Sequence, residues 1–162
     1  EWAKGFDSLI SAFSELEQLN HRLVILGEGS ERNKLEKLIQ KLKLQDKVML
    51  PGYVNNPYSV LSDADLFVLS SRYEGMPNVL MEALVLNVPI AATDCPNGPK
   101  ELLKNGQFGK LVPVDDIALL RKAIEDQLNA KHKISDEQVQ YIQQFGLDEV
   151  GKHFLKILKA EI

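Results

Sequence analysis

The stretch SSRYEGMPNVLMEAL, residues 70–84, comes directly after an unbroken apolar run at residues 66–69. A short apolar run of this kind is typical of a strand that is buried on both faces of a parallel sheet. After it, Gly75 opens a turn, and Pro77 stands where a first helical residue is expected. Residues 79–86 are apolar nearly all the way round a helix. We therefore predict a strand, a loop and a largely buried helix.

Glu82 is the only charge on that predicted helix. An unpaired buried carboxylate costs several kcal/mol or shifts its pKa until it is neutral. Asn78 lies four residues earlier on the same side of the helix. Glu82 therefore either reaches solvent or a sheet-edge amide, or it binds hydroxyl groups of a ligand that crosses the helix N-terminus. Glu74, in the preceding loop, either favours the positive end of the helix dipole or contacts the same ligand.

The bulk composition indicates a soluble globular protein. A chain of 162 residues is most simply one domain, which buries about 70% of its unfolded surface. The net charge of -4 argues against a nucleic-acid binder. No apolar run approaches the ~18–20 residues of a membrane span. The single Cys95 excludes an internal disulfide and suits a reducing compartment.

The rest of the chain alternates predicted helices and strands. Helices are predicted at 6–19, at 31–42 with Ser30 as N-cap, at 57–62 and at 99–104. A further helix is predicted to run to about residue 130 with either Asp115 or Asp116 as its cap, and two more at about 135–145 and 147–160. Strands are predicted at 23–26, at 47–50 before Pro51-Gly52, and at 89–93 and 108–112. This alternation indicates a parallel sheet with helical crossovers.

Polar, glycine-containing segments follow the predicted strands at residues 27–30, 70–77 and 94–98. In an open α/β sheet, ligands bind at the edge where such loops lie. Glycines let the backbone approach a ligand closely, and amides at a helix N-terminus bind phosphate. The residues alone therefore predict an α/β domain that binds a phosphorylated ligand with vicinal hydroxyls, which describes a nucleotide.

Several segments in this order resemble the family-4 retaining glycosyltransferases of the GT-B fold. They are Lys4-Gly5-Phe6-Asp7, Leu26-Gly27-Glu28-Gly29, Pro51-Gly52-Tyr53-Val54, the pair Glu74 and Glu82 with seven residues between them, and residues 105–113. The resemblance implies a Rossmann-like parallel sheet with helices on both faces. The chain would be the C-terminal, donor-binding half of such an enzyme, one domain over residues 1–162. The acceptor-binding N-terminal domain and the first strand would be absent.

The resemblance also assigns roles to residues. Glu82 would hold the ribose diol, and Glu74 would be the catalytic group that contacts the transferred sugar. The ammonium of Lys4 and the amides of residues 75–79 would neutralise the diphosphate. Tyr53 would lie along the base, and Arg72 would be either a second phosphate contact or a solvated arginine. The implied donor-binding residues are Lys4, Gly27, Gly29, Tyr53, Arg72, Gly75, Met76, Pro77, Asn78, Val79 and Glu82.

Two departures from the family pattern affect the prediction. The arginine that precedes the family's lysine, and the strand that carries it, are not in this sequence. The sheet then either has a gap, or residues 23–26 pair directly with residues 66–69. The loop at 94–99, which contains Cys95, replaces one that more often carries two glycines, so sugar contacts there are not predicted.

The implied function is retaining transfer of a hexose from a nucleoside-diphosphate sugar, most simply a UDP-sugar, without a cofactor or metal. Expected partners are the donor, the missing N-terminal domain and a lipid-linked or polysaccharide acceptor in bacterial surface polysaccharide or glycolipid synthesis, but no nucleic acid. We expect a cytoplasmic protein, peripheral at the inner face of the membrane through its missing half, and no transfer by the chain alone. The alternatives are a nucleotide-sugar epimerase half-domain and a non-catalytic α/β nucleotide-binding module.

Overall fold

A computed structural model describes residues 2–16, 20–130 and 135–145 of the chain. The backbone divides into two compact units, Glu1–Ala130 and Lys131–Ile162. The prediction of one domain over residues 1–162 stays a prediction. In the second unit, the structure describes one helix, at Asp136–Gln143, which begins after the N-cap Ser135. The predicted helix at 147–160 lies outside the described residues.

The first unit alternates helices with strands, as predicted. The strands are β1 (Leu23–Leu26), β2 (Val48–Gly52), β3 (Phe67–Leu69), β4 (Ile90–Thr93) and β5 (Lys110–Val112). The helices are α1 (Phe6–Ser14), α2 (Arg32–Lys41), α3 (Pro57–Ser62), α4 (Asn78–Val85), α5 (Pro99–Leu102) and α6 (Ile117–Asn129). The helix of the second unit is α7, and short 3-10 turns lie at Trp2–Lys4 and Lys104–Gly106.

In the part of the chain that the structure describes, all the strand pairs are parallel, and they form two sheets. β1 pairs with β2, and β3, β4 and β5 pair in that order. Within the described residues no backbone pairing joins β1 to β3, so the gap is the correct alternative and direct pairing of residues 23–26 with 66–69 is wrong. The α/β architecture with parallel sheets is confirmed.

The main apolar cluster lies beneath α1, α2 and α6. It is built from buried side chains on those helices and on β1, β2, β4 and β5, among them Ile10, Phe13, Ile25, Ala91 and Leu120. On α1, Ile10 and Phe13 are among the periodic apolar positions from which the sequence predicts an amphipathic helix. The buried side chains of α4 and α5 fall outside this cluster, and these two helices contact each other.

Four local predictions are wrong. Ser30 is not the N-cap of α2; Glu31 precedes the helix, and no side chain caps it. β2 does not stop before Pro51-Gly52 but runs through them to Gly52. α4 begins at Asn78 rather than Pro77, and it is not largely buried, because Val79 and Val85 are exposed. α4 buries only one side, through Leu80, Ala83 and Leu84.

Candidate functional site

The N-terminal turn Trp2–Lys4 is held against the carboxyl end of β3. Gly5 follows the turn with φ +61°, and a Cβ at this position would overlap the carbonyl oxygen of Ser70. The Ser70 hydroxyl donates to the carbonyl of Lys4 at 2.9 Å, and the amide of Arg72 donates to Ala3 at 2.8 Å. A glycine is therefore required where the two backbones touch, and it brings Lys4 to the loop that follows β3.

Lys4 and Glu74 meet at this junction. The Lys4 Nζ lies 2.9 Å from Oε1 and 3.1 Å from Oε2 of Glu74, and the Ser71 hydroxyl donates to Oε1 at 2.6 Å. The Glu74 side chain is 8% exposed, whereas that of Lys4 is 42% exposed. A carboxylate this deeply buried needs such partners, because losing water is costly for a charge. Glu74 is thus fixed in orientation and does more than favour a helix dipole.

The end of β4 supports the same loop. The Thr93 hydroxyl donates to the carbonyls of Leu69 at 3.2 Å and Ser71 at 2.5 Å, and Thr93 is itself buried. The loop after β4 also approaches the start of α4, since a Cβ on Gly98 would lie 2.5 Å from Cδ of Pro77. The loops after β3 and β4 therefore form one continuous surface, as their positions at the carboxyl ends of neighbouring parallel strands predict.

Cys95 lies in the loop after β4 and is buried. Burial raises the pKa of the Cys95 thiol, and the nearby Glu74 carboxylate raises this pKa further. Both effects favour the neutral thiol, because a thiolate here would be poorly solvated and would face a negative charge. Cys95 therefore behaves as a small apolar side chain beside Glu74.

Glu82 has a different environment from Glu74. It lies on α4, half-buried, and its hydrogen-bond partner is the hydroxyl of Tyr58 on α3, 3.5 Å from Oε1. Within the described residues no arginine or lysine pairs with it. Asn78, one turn earlier, is exposed. Glu82 is thus a carboxylate with a single long hydrogen bond and with room to accept others.

Backbone amides at the start of α4 are also available. Within the described part of the chain, the amides of Gly75, Met76 and Val79 donate to no other backbone group, whereas the amide of Asn78 donates to Met76 at 2.9 Å. Pro77 has no amide to donate. Gly75 and Met76 are exposed. A group that accepts hydrogen bonds could therefore approach this turn from solvent.

Arg72 is placed differently from the other candidates. Its guanidinium donates to Asp7 at 2.8 and 2.9 Å and to Asp115 at 2.8 Å, and its side chain is 9% exposed. The hydrogen bond with Asp7 raises the pKa of Arg72 and lowers the pKa of Asp7. Arg72 is therefore not a solvated arginine, and in this structure its guanidinium is bound by Asp7 and Asp115 rather than open to a phosphate.

The remaining predicted residues lie with the two-stranded sheet. Gly27 has φ +105°, and its amide donates to the carbonyl of Gly52 at 2.8 Å, which joins the start of the loop after β1 to the last residue of β2. Gly29 is exposed, and Tyr53 is 80% exposed. Among the described residues no hydrogen bond joins Gly27 or Gly29 to the loop at 70–77. The predicted site residues thus fall into two groups, one around the loop at 70–77 and the other at the ends of β1 and β2.

A comparison with protein families decides what kind of domain carries these residues. The family model described as glycosyl transferases group 1 matches residues 1–145. The chain belongs to this family. A Campylobacter jejuni relative, N-acetylgalactosamine-N,N'-diacetylbacillosaminyl-diphospho-undecaprenol 4-alpha-N-acetylgalactosaminyltransferase, is 41% identical over 113 residues, 70% of this chain and 31% of the relative.

Solved structures share the fold of this group 1 glycosyltransferase domain. The lipopolysaccharide outer core galactosyltransferase WaaB in its apo form superposes with a TM-score of 0.85 at 22% identity, over 99% of this chain and 46% of that one. The pneumococcal O-GlcNAc transferase GtfA in complex with UDP and GlcNAc gives 0.83 at 24% identity, over 99% and 34%. The fold matches part of a GT-B glycosyltransferase. The chain spans less than half the length of these relatives.

Several residues that shape the site of this group 1 domain were not predicted. They are Trp2, Asp7, Tyr58, Ser71 and Asp115, which bind or stack on Arg72, Glu74 or Glu82. Ser71 lies within the loop that the sequence singles out, so a hydroxyl three residues before an acid was a usable signal. Asp7 and Asp115 lie 65 and 43 positions from Arg72, and no local pattern links them to it.

The described part of this glycosyltransferase domain holds no group of three or more His, Cys, Asp or Glu side chains that could bind a metal ion. The neighbouring carboxylates of Asp63 and Asp65 do not form such a group: Asp63 is exposed, and Asp65 lies 3.8 Å from Nδ1 of His21. Among the helices in the described ranges, none combines the length and apolarity needed to cross a bilayer.

Proposed function

We propose that this chain binds the nucleoside-diphosphate sugar of a retaining hexosyltransferase. The observation that carries the proposal is the state of Glu82: a half-buried carboxylate with one 3.5 Å hydrogen bond, on the helix whose first turn has amides without backbone partners. Two carboxylate oxygens can each accept from one hydroxyl of a ribose diol. The amides at the start of the same helix can donate hydrogen bonds to a phosphate, whose negative charge is favoured at the positive end of the helix dipole.

The diphosphate is assigned to Gly75, Met76, Val79 and Lys4. In the structure, the Lys4 ammonium rests on Glu74, but the lysine side chain is 42% exposed and carries several rotatable bonds. A bound diphosphate would compete for this ammonium and draw it towards the phosphate oxygens. The charge of the departing nucleotide would then be neutralised by groups already positioned for it, which lowers the barrier to bond cleavage.

Glu74 is assigned to the transferred sugar. Its carboxylate is buried and held by Ser71, so it keeps its orientation when Lys4 moves to the phosphate. A carboxylate beside the anomeric carbon would stabilise the positive charge that develops there as the bond to the nucleotide lengthens. A fixed carboxylate on one face of the sugar fits transfer with retention, and Glu74 is therefore the catalytic residue in this proposal.

Tyr53, Gly27 and Gly29 are assigned to the nucleoside end of the donor. The bond from Gly27 to Gly52 holds the loop after β1 at the end of β2, directly before Tyr53, and Tyr53 is exposed to solvent. A ring exposed in this way can stack on a base. The pneumococcal structural neighbour is in complex with UDP, which favours a UDP-sugar as donor.

The acceptor is assigned from relatives rather than from this chain. The Campylobacter relative is named for a diphospho-undecaprenol acceptor, and a relative of Rhizobium meliloti is named as a lipopolysaccharide core biosynthesis glycosyltransferase. A lipid-linked acceptor would bring the enzyme to the cytoplasmic face of the membrane, in surface polysaccharide or glycolipid synthesis. We expect the 162-residue chain to bind the nucleotide but to transfer no sugar, since it spans less than half of such enzymes.

Titration calorimetry with UDP, GDP, ADP and uridine tests the proposal. At least one diphosphate should bind with a Kd on the order of 0.1 mM, and uridine should bind more weakly, because it lacks the phosphates. If none of the diphosphates binds, the proposed function is wrong. A Glu82→Ala variant that binds as tightly as the parent chain would remove the basis for the assignment.

A further inference from the structure

Every N–H donor of the Arg72 guanidinium already has an acceptor. Nε donates to Asp115, Nη1 donates to Asp7 Oδ1 and to the Trp2 carbonyl at 2.9 Å, and Nη2 donates to Asp7 Oδ2 and to Ser8 Oγ at 3.0 Å. The guanidinium also lies over the Trp2 ring, 4.9 Å from its centroid. None of these donors remains for a ligand.

Two of these contacts reach the turn that carries Lys4. The guanidinium of Arg72 binds the carbonyl of Trp2, and the backbone amide of Arg72 binds the carbonyl of Ala3 at 2.8 Å. Arg72 therefore binds the turn through both its side chain and its main chain. Glu74 lies two residues after Arg72, and Lys4 lies two residues after Trp2. The contacts of Arg72 with the turn therefore lie only two residues away from the contact between the Lys4 ammonium and Glu74, on both of the chain segments that meet there.

We propose that Arg72 is a positioning residue that fixes the turn Trp2–Lys4 so that the Lys4 ammonium lies beside Glu74, from where it can turn to the donor diphosphate. This inference rests on the proposed function for the role of the diphosphate. A lysine side chain is long and flexible, so the place of its ammonium depends on a fixed backbone. The planar guanidinium of Arg72 fixes the backbone here by binding Asp7 with two parallel hydrogen bonds. Lysine cannot reproduce this geometry.

The test compares Arg72→Lys with the parent chain in calorimetric titrations of UDP and uridine. We expect Arg72→Lys to weaken UDP binding about fivefold and to leave uridine binding unchanged, because only the phosphates contact Lys4. In a Lys4→Met background, Arg72→Lys should have no further effect on UDP binding. Arg121→Lys is the matched control, since Arg121 pairs with Glu125 on α6 at 2.7 Å and should leave both affinities unchanged.

A second measurement does not depend on nucleotide. Acetylation of lysines with a small reagent, followed by mass spectrometry, should label Lys4 several-fold faster in Arg72→Lys than in the parent, with Lys34 as the internal reference. Trp2 is the only tryptophan, so its fluorescence anisotropy should fall in the same variant as the turn loosens. Asp7→Asn should change both signals in the same direction, and it serves if Arg72→Lys does not fold.

The outcomes separate the two proposals. If the parent chain binds no diphosphate but Lys4 labelling rises in Arg72→Lys, the proposed function fails and the positioning role stands. If UDP binding falls equally in the Lys4→Met background, Arg72 acts on the ligand by another route and the positioning role is overturned. Unchanged Lys4 labelling and unchanged Trp2 anisotropy would overturn it as well.

Discussion

Lys4 and Glu74 are 70 positions apart in the sequence, and their side chains meet at 2.9 Å. The contact joins the turn before α1 to the loop between β3 and α4. Glu74 is the more buried partner, with 8% of its side chain exposed. The pair therefore stabilises the fold at the same point where the proposed chemistry takes place.

Removing the Lys4 ammonium should destabilise the chain. In Lys4→Met, Glu74 would keep only the Ser71 hydroxyl as a partner, and a buried carboxylate without a counter-charge is costly. Because Lys4 is partly exposed, we expect a loss of ~1–2 kcal/mol in the free energy of unfolding, measured by urea denaturation. Lys34→Met is the control: Lys34 is 75% exposed, and its pair with Glu31 should contribute less than ~0.5 kcal/mol. Equal losses would contradict this account.

Replacing Glu82 should weaken nucleotide binding. Glu82→Ala removes the proposed acceptors for the ribose diol, and we expect a loss of ~1–3 kcal/mol in calorimetry. Glu74→Ala should leave the binding of a plain nucleotide nearly intact, since Glu74 is assigned to the sugar. Tyr58→Phe, which removes only a 3.5 Å hydrogen bond to Glu82, should change the Kd less than about twofold. The opposite order for the two acids would mean that their roles are exchanged.

Gly5 should tolerate no side chain. In Gly5→Ala, the methyl group would collide with the backbone of Ser70 at a φ of +61°, so we expect about 4 kcal/mol of destabilisation in urea denaturation. Gly27→Ala is the matched control: its φ is +105°, but no atom lies within 4 Å of the added Cβ. Backbone strain alone should then cost about 1–2 kcal/mol. Similar values for both would show that close packing at Gly5 contributes little.

The pair between Arg72 and Asp7 should make stability depend on pH in acid. The guanidinium of Arg72 holds the pKa of Asp7 below its ordinary value of 3.8. Because the folded pKa is the lower one, the contribution is complete above about pH 5 and is lost as the pH falls through 3.8 towards the folded pKa.

Urea denaturation at several pH values would check this dependence. Asp7→Asn should be less stable than the parent by about 1 kcal/mol or less at pH 7, since Asp7 is half-exposed, and this difference should shrink towards pH 3. Asp46→Asn is the control, because Asp46 is exposed and forms no ion pair in the described part of the chain. A difference that grows in acid would contradict the assignment.

Cys95 should react slowly with alkylating reagents. Its thiol is buried, and burial raises its pKa above the ordinary value of 9.0, with Glu74 raising it further. We expect alkylation by iodoacetamide at pH 8 to be more than about tenfold slower than in the urea-unfolded chain. Glu74→Gln should lower the pKa and speed the reaction. A fast reaction in the folded parent chain would show that Cys95 is accessible.

Much of the fold could be predicted because its determinants are local. The apolar run before Ser70 became β3, the periodic positions around Ile10 became the inward face of α1, and Asp116 caps α6 by accepting from the amide of Leu119. The prediction failed at Ser30 because a residue type that favours capping does not by itself make a cap, since the turn must also direct the hydroxyl to the helix. It failed on the burial of α4 because apolar composition does not determine how much neighbouring structure covers a helix.

The candidate site was predicted in part. The sequence singled out Glu74 and Glu82 but could not tell that one is buried with two partners and the other is half-exposed with a single long hydrogen bond. The sequence offered two alternatives for Arg72, a phosphate contact or a solvated side chain, whereas in the structure the side chain of Arg72 is 9% exposed and is bound by Asp7 and Asp115. The partners that decide these environments come from α1, α3 and the loop before α6, far away along the chain.

By itself, the sequence determined the order of strands and helices, the loops that carry polar residues, and the acids that stand out from an apolar helix. These features follow from the chemistry of residues a few positions apart. Only the tertiary structure decided that Lys4 binds Glu74, that Arg72 is enclosed by Asp7 and Asp115, and that Glu82 stays open. The state of a charged side chain depends on which groups replace its water, and packing of distant segments supplies those groups.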